Sequence, residues 1–293
     1  MTPSDRPPID NYFVCIGAQK AGTTWLARVL SRHPDVFVTP VKEIHYFDHV
    51  RGVTQHLADR KRRSRLRKHY QRLLTQWGRL SELKAQNGWY ARYMADPIDD
   101  AWYASLFADR LGRRIAGEAT PEYAILGTEG LEHIRRLAPE ARVIYIMRNP
   151  VRQAWSQLLH QCRVRKLDAR KLGEAQMRDI LGEERMRALA NYPRTLADLG
   201  AVFPRSQVLT LIYEEIHADR MKAIANVSQF IGARFEASWF KGLDERHNKS
   251  QDVALPASFR PYLQEATRTL ATGAATALGR MPKAWAEEYG IGD

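Results

Sequence analysis

The sequence predicts an α/β protein whose core is a parallel sheet of about five strands with helices on both faces. Short apolar segments alternate along the chain with segments of helical periodicity, an order typical of a buried parallel sheet. The chain has 293 residues, of which 44% are hydrophobic, so it can bury a sizeable core without disulfide bonds or structural metals. We therefore expect a single domain over residues 1–293.

The predicted strands are short runs of aliphatic and aromatic residues bounded by small or polar residues. They lie at 12–16, 36–38, 115–117, 142–147 and 207–212. Helices are predicted after the first, fourth and fifth of them, over 24–32, 152–162 and 221–231. The first helix places Trp25, Leu26 and Val29 on one face, and Pro34 lies just beyond its end.

Two other helical stretches interrupt this alternation, and we interpret both as elaborations of the one domain. Residues 168–196 are charged, and residues 59–83 are polar and basic, forming a basic helical insertion at about 51–95. Between Arg51 and Arg92 the chain has twelve Lys or Arg and only two acids. Such cations repel one another along a helix, which favours a binding surface that gains order when an anionic partner binds. An ordinary solvated helix is the alternative.

The composition excludes several classes of protein. No apolar run approaches the ~18 residues of a membrane span, and the first ten residues lack the apolar segment of a signal peptide. Cys15 and Cys162 are too few for a disulfide framework, so a cytoplasmic location is expected. The net charge of +12 implies anionic partners, such as nucleotides, acidic glycans or lipid headgroups.

The loop between the first strand and the first helix has the composition of an anion-binding turn. Residues 17–24 read GAQKAGTT, and small residues let the backbone and the first helix amides approach a phosphate. Lys20 adds a charge, and Thr23 and Thr24 add hydroxyls. A nucleoside-triphosphatase loop needs lysine directly after its second glycine, where this chain has Thr23 after Gly22. The loop therefore predicts phosphate binding without ATPase or kinase chemistry, and an ordinary tight turn is the alternative.

A second candidate phosphate site follows the fourth strand. Arg148 comes directly after the run RVIYIM, at the strand end where ligands bind in parallel sheets, and its guanidinium suits a phosphate. Ser156 lies eight residues further on, about two helical turns away, and adds a hydroxyl. A solvated arginine and an ordinary helix serine are the alternative. Glu214 and Glu215, after the fifth strand, are expected to be structural rather than catalytic.

Four segments together resemble sulfotransferases that use 3′-phosphoadenosine-5′-phosphosulfate (PAPS). They are QKAGTTWL at 19–26, KEIHYFD at 42–48, WYASLF at 102–107 and GEATPEY at 117–123. KEIHYFD is similar to the heparan-sulfate type and its bacterial relatives, and the resemblance covers most of residues 12–250. It implies a P-loop-like fold, PAPS as co-substrate, and a 3′-phosphate held by Arg148 and Ser156. The implied donor-binding residues are Lys20, Ala21, Gly22, Thr23, Thr24, Trp25, Arg148, Ser156, Lys249 and Ser250.

The resemblance also implies catalytic roles. Glu43 coincides with the catalytic glutamate of the heparan-sulfate type and is the predicted base, Lys20 would stabilise the leaving 5′-phosphate, and no metal is implied. His45 is the competing candidate for the base, because histidine is the commonest general base. If Glu43 is the base, His45 is expected to orient or contact the substrate. Several heparan-sulfate-type enzymes have a lysine where this chain has Ala119, so that cation is missing or comes from elsewhere. This departure argues against a heparan-like acceptor and favours membership of the broader group of bacterial sulfotransferases.

The expected acceptor is a hydroxyl of a carbohydrate or another small metabolite. An anionic glycan, a phosphorylated acceptor or peripheral contact with an anionic membrane would each suit the basic insertion. A P-loop-type nucleotide kinase is the alternative enzyme, and Thr23 argues against it. A nucleic-acid-binding module is the alternative of another class, but the insertion contains no binding motif or stacking platform.

Overall fold

Five parallel strands form the sheet in the part of the chain that the computed structural model describes, residues 9–76, 78, 80–240, 242 and 253–291. The strands are β1 Tyr12–Gly17, β2 Val36–Val38, β3 Ile115–Ala119, β4 Arg142–Met147 and β5 Val208–Ile212. Their order is β2-β3-β1-β4-β5, and every neighbouring pair is parallel. The predicted fold class is confirmed.

Helices connect the strands and cover the sheet. Before β3 the chain forms α1 Thr23–Leu30, α2 Tyr46–Val50, α3 Asp59–Thr75, α4 Leu80–Ala85, α5 Asn87–Met94 and α6 Asp100–Ser105. Between β3 and β5 it forms α7 Gly127–Leu137, α8 Pro150–Arg165, α9 Glu174–Gly182, α10 Glu184–Ala190 and α11 Tyr192–Val202. After β5 it forms α12 Tyr213–Ala218, α13 Arg220–Phe230, α14 Arg260–Leu278 and α15 Lys283–Tyr289. Within the described ranges, none of these helices combines the length and apolar character needed to cross a membrane.

The sheet creates one crevice at its carboxyl edge. All six residues of β1 are buried between β3 and β4. Gly117 of β3 packs so closely on β1 that an added Cβ would lie 2.3 Å from the carbonyl oxygen of Phe13, so only glycine fits. The chain leaves β1 toward one edge of the sheet and β4 toward the other, and ligands bind at such a switch point.

Several element boundaries differ from the predicted ones. The helix predicted over 59–83 ends at Thr75 and resumes as α4, and the stretch 168–196 divides into α9, α10 and the start of α11. The helix predicted from residue 152 begins two residues earlier, at Pro150. Proline is favoured in a first helical turn because its missing N–H has no intrahelical partner there, and the Asn149 side chain caps this turn by accepting from the amide of Arg152.

The basic run at the start of α3 is not one solvated face. Arg62 is only 2% exposed and donates to Asp59 at 2.6 Å and to Asp96 at 2.7 Å. A further bond reaches the carbonyl oxygen of Ala95 at 3.0 Å. Arg62 therefore attaches α3 to the segment after α5 and is not available to a partner.

Candidate active site

The loop between β1 and α1 changes direction at Gly22, the residue that precedes α1. This residue has a φ of 95°, a left-handed conformation that residues with a Cβ rarely adopt. An added Cβ would also lie 3.2 Å from the ring of Tyr213, at the start of α12. The amide of Ala18 donates to the carbonyl oxygen of Ile146 at 2.6 Å, which fixes the loop to β4. The loop thus directs the first amides of α1 toward the crevice.

Lys20 and Arg148 meet in this crevice. Nη1 of Arg148 donates to the backbone oxygen of Lys20 at 3.2 Å, and its guanidinium carbon lies 4.5 Å from the centre of the Tyr213 ring. Burial, followed by the charges of Arg163 and Arg148, lowers the pKa of the Lys20 ammonium. An anion bound here would relieve the repulsion among these cations.

The other predicted donor-binding residues that the structure describes lie in the loop after β1, in the first turn of α1 and in α8. Ser156 lies in α8 and is 9% exposed. Two buried nitrogens, Nε of Arg148 and Nε1 of Trp25, have no hydrogen-bond partner among the described residues, so both could donate to a ligand. Lys249 and Ser250 lie outside the described residues. The predicted residues of the loop and of the first turn of α1 are all fully or partly buried: Lys20, Ala21, Gly22, Thr23, Thr24 and Trp25.

The segment after β2 carries a chain of ionisable side chains. Nδ1 of His45 lies 2.8 Å from Oδ2 of Asp48, and Nε2 lies 3.7 Å from Oε2 of Glu43. The other oxygen of the Glu43 carboxylate forms an ion pair with Lys42. The imidazole of His45 thus lies between two carboxylates and is 2% exposed, whereas the side chain of Glu43 is 36% exposed.

The three predicted catalytic residues share an unusual backbone conformation. Lys20, Glu43 and His45 have φ angles of 69°, 64° and 62°, and they are three of the six non-glycine residues with positive φ among the described residues. A non-glycine residue in this conformation costs of order 1–3 kcal/mol, so the conformation persists only where the surrounding structure enforces it. Such residues concentrate at active sites.

Buried hydrogen bonds hold this strained segment in place. The amide of Ile44 donates to Oε2 of Glu118 at 3.1 Å, and the amide of Tyr46 donates to the hydroxyl of Tyr123 at 3.0 Å. Tyr123 in turn donates to Oε1 of Glu118 at 2.9 Å, as does Tyr103 at 2.6 Å. Glu118 is fully buried in β3, so the sheet itself fixes the backbone on either side of His45.

The surroundings of Glu43 and His45 set opposite charges on them. Burial raises the pKa of the Glu43 carboxyl, but His45 and Lys42 outweigh burial and hold this pKa at about 2. Burial lowers the pKa of His45, but hydrogen bonds to Asp48 and Glu43 raise it to about 9. At neutral pH Glu43 is thus an anion that can accept a proton, whereas His45 is a cation that cannot.

Glu122 is a buried residue of this cluster that the sequence did not single out. Its Oε1 accepts from Nε2 of Gln19 at 3.1 Å and from Nη2 of Arg185 at 2.9 Å, while Oε2 has no partner among the described residues. Burial raises the pKa of this carboxyl. Its position in the GEATPEY segment was a signal, but Arg185 reaches the site from α10 and no local pattern points to it.

His56 is a second residue found only in the structure. Its ring centre lies 4.2 Å from that of His45, and the ligand atoms of His45, His56 and Glu122 lie within 4.8 Å of one another. However, Nδ1 of His56 lies 2.7 Å from the ammonium of Lys61. Burial, with the charges of His45 and Lys61, lowers the pKa of His56 to about 4. These cations disfavour a bound metal ion, and the metal-free site stays a prediction.

Ala119 lies at the end of β3 and is 2% exposed. Positive charge nevertheless reaches this edge of the sheet from two other elements, through Lys42 beside Glu43 and Arg185 beside Glu122. Either cation could serve where the heparan-sulfate type has a lysine.

The two acids after β5 have structural partners. Glu214 accepts from the amide of Asn149 at 3.0 Å and from Nε1 of Trp285 at 3.2 Å. Glu215 forms a bidentate pair with Arg280, at 2.6 and 2.7 Å. These contacts agree with the expectation that neither acid takes part in catalysis.

Comparisons with known proteins agree with this geometry. Residues 13–237 match the model of a family described as the sulfotransferase family. A sulfotransferase of Alicyclobacillus acidocaldarius has a TM-score of 0.64 and 21% identity, over 96% of this chain and 99% of that one. The sulfotransferase domain of the Synechococcus PCC 7002 olefin synthase has a TM-score of 0.56 and 18% identity, over 95% of this chain and 96% of that one.

A mouse sulfotransferase complexed with PAP has a TM-score of 0.52 and 16% identity, over 93% of this chain and 86% of that one. At these identities the solved structures show a shared fold. A comparison with curated protein sequences found no match.

Proposed function

This chain belongs to the sulfotransferase family and catalyses sulfuryl transfer, and from that premise we propose that its donor is PAPS and its acceptor a hydroxyl of a carbohydrate or small metabolite. The family match covers both the loop after β1 and Arg148. It gives no support to a nucleotide kinase or to a nucleic-acid-binding module. The cytoplasmic location and the single-domain organisation stay predictions.

The proposal of PAPS rests on one observation, the convergence of the loop after β1 with Arg148. The guanidinium donates to the backbone of Lys20, and Tyr213 packs against both Arg148 and Gly22. A nucleotide with phosphates at both its 5′ and 3′ positions would use two such cationic groups. The likeness to a structure complexed with PAP also supports this donor.

In the proposed site the chain holds the donor with one set of groups and the acceptor with another. The loop amides, Thr23 and Lys20 would bind the 5′-phosphosulfate, and Arg148 with Ser156 would bind the 3′-phosphate. When bound, PAPS supplies an activated sulfuryl group whose leaving group is a phosphate. The positive charge of Lys20 would stabilise the negative charge that develops on that phosphate.

Glu43 is proposed as the base that takes the acceptor proton. It is ionised at neutral pH, and the protonated His45 next to it would orient the carboxylate and stabilise its charge. A carboxylate of such low pKa is a weak base. Any partner that draws Lys42 away from Glu43 would raise the pKa of this carboxyl and make it a stronger base.

The experiment that tests the function is a screen of hydroxyl acceptors with labelled PAPS, with products identified by mass spectrometry. We expect acceptor-dependent formation of a sulfated product and of PAP, and no phosphorylated product when ATP and magnesium replace PAPS. Transfer from ATP, or an absence of PAP binding, would refute the proposed donor.

A further inference from the structure

A cationic pocket adjoins the proposed base. A cavity of about 170 Å³ is lined by Lys42, by Tyr90 of α5 and by Arg65, Lys68 and Arg72 of α3. The three α3 residues are spaced at i, i+3 and i+7, which places them on one face of the helix. The lining contains four cations and no acid.

The α3 cations of this pocket have no carboxylate partner among the described residues. Arg65 donates to the hydroxyl of Tyr93 at 2.6 Å, and Nε of Arg72 donates to the backbone oxygen of Lys68 at 3.3 Å. Both contacts use neutral oxygens, so the charges of Arg65 and Arg72 remain uncompensated. Cations held on one face repel one another, and this repulsion is relieved when an anion lies between them.

The other basic residues near the start of α3 do not share this arrangement. Arg62 is buried against Asp59 and Asp96, and the side chain of Arg63 is 72% exposed beside Asp59. Arg67 is exposed and does not line the cavity. The pocket therefore selects particular members of the basic run, and Arg63 and Arg67 offer a charge-matched control on the same helix.

Lys42 connects the pocket to Glu43, the proposed base. It forms part of the pocket wall, and its ammonium pairs with the carboxylate of Glu43. An anion in the pocket would compete with Glu43 for this ammonium. Occupation of the pocket would therefore weaken the ion pair that, together with His45, holds the pKa of Glu43 low.

We propose that this pocket binds a phosphate or sulfate group carried by the acceptor, which positions the acceptor hydroxyl near Glu43; this inference rests on the proposed function. Two guanidinium groups offer fork-shaped donors to a tetrahedral oxyanion, and two ammonium groups add point charges. The three terminal oxygens of a phosphate or sulfate ester offer these donors more acceptors than the two oxygens of a carboxylate. The acceptor is thus an already phosphorylated or sulfated molecule.

The test is a calorimetric titration of inorganic phosphate, sulfate and acetate into the full chain saturated with PAP, at constant ionic strength. PAP fills the nucleotide and phosphate positions of the proposed donor site but leaves the sulfuryl position open, so variants of the pocket are needed to assign the binding of an added anion. We expect phosphate or sulfate to bind better than acetate, and the preferred dianion identifies the group. The double variant Lys68→Gln/Arg72→Gln should weaken that binding roughly tenfold or more, because each charge-assisted contact contributes substantially.

The control variant Arg63→Gln/Arg67→Gln removes the same charge from α3 and should leave dianion binding unchanged. Equal weakening in the two variants, no weakening in either, or no dianion binding by the unmutated chain would overturn the pocket assignment. Thermal unfolding of each variant establishes that it is folded. If the unmutated chain fails to bind PAP, the proposed donor is refuted, whereas normal PAP binding without dianion binding refutes the pocket alone.

Discussion

Nε2 of His45 lies 3.7 Å from Oε2 of Glu43, so the two residues that compete for the role of base are direct neighbours. Their proximity decides their charges, since each stabilises the ionised form of the other. We therefore propose that the pair acts as one unit, in which the Glu43 carboxylate accepts the proton of the acceptor and the His45 imidazolium orients that carboxylate.

Replacing the proposed base should strongly reduce turnover without weakening the binding of the donor nucleotide. Glu43→Gln keeps the volume of the side chain and removes its proton acceptor, so we expect kcat to fall about 10²- to 10⁴-fold with PAP affinity nearly unchanged. Steady-state kinetics and PAP titration measure the two effects. Glu140→Gln, an exposed glutamate just before β4, is the control. An active Glu43→Gln enzyme alongside an inactive His45→Ala enzyme would reverse the assigned roles.

The raised pKa of His45 should make folding stability depend on pH. The native histidine has a pKa of about 9 and the unfolded one about 6.5. Its stabilising contribution is complete below pH 6.5 and is lost as the pH rises through 9, since the native state holds a proton that the unfolded state has released. Urea unfolding at pH 6.5, 7.5 and 9 should show a steeper loss of stability for the unmutated chain than for His45→Gln. Parallel pH profiles would contradict this ionisation state. His56, with its pKa of about 4, titrates below this window.

Arg148 should determine the preference for a 3′-phosphate. If its guanidinium binds that group, PAP should bind roughly tenfold to over a hundredfold more tightly than AMP, and Arg148→Ala should remove most of the difference. Calorimetric titration of both nucleotides measures the ratio. Arg152→Ala removes an exposed arginine from the first turn of α8 and serves as the control. Equal affinities of the unmutated chain for PAP and AMP would exclude the assignment.

Tyr123 should act as a positioning residue for His45. Tyr123→Phe removes the hydroxyl that accepts from the amide of Tyr46, so the strained segment loses one of its supports. We expect kcat to fall roughly tenfold with PAP affinity unchanged, because small displacements of a reacting group are costly. Tyr12→Phe also removes a buried hydroxyl, one that contacts Tyr103, and should lower stability without the same effect on kcat. Equal losses of kcat in both variants would indicate a structural effect alone.

Local patterns in the sequence determined the sheet and the position of the loop after β1. The run RVIYIM predicted β4 to the residue, because a strand buried on both faces must be continuously apolar. The glycine-containing loop after β1 was recognisable because its backbone conformation requires particular residues, as Gly22 shows. Glu43 was predicted as the base because KEIHYFD resembles the segment with the catalytic glutamate of the heparan-sulfate type, and His45 was its alternative because histidine is the commonest general base.

Only the tertiary structure decided which distant side chains complete the site. Arg185 reaches Glu122 across 63 positions of sequence, and the pocket joins Lys42 to Arg72 of α3, contacts that no local periodicity specifies. The charges of Glu43 and His45 were equally inaccessible to sequence, since they depend on burial and on partners within a few ångströms. The basic run gives the clearest contrast. The sequence determined its charge, and the packing of α3 against α5 and the segment after it decided that Arg62 is buried while Arg65 lines a pocket.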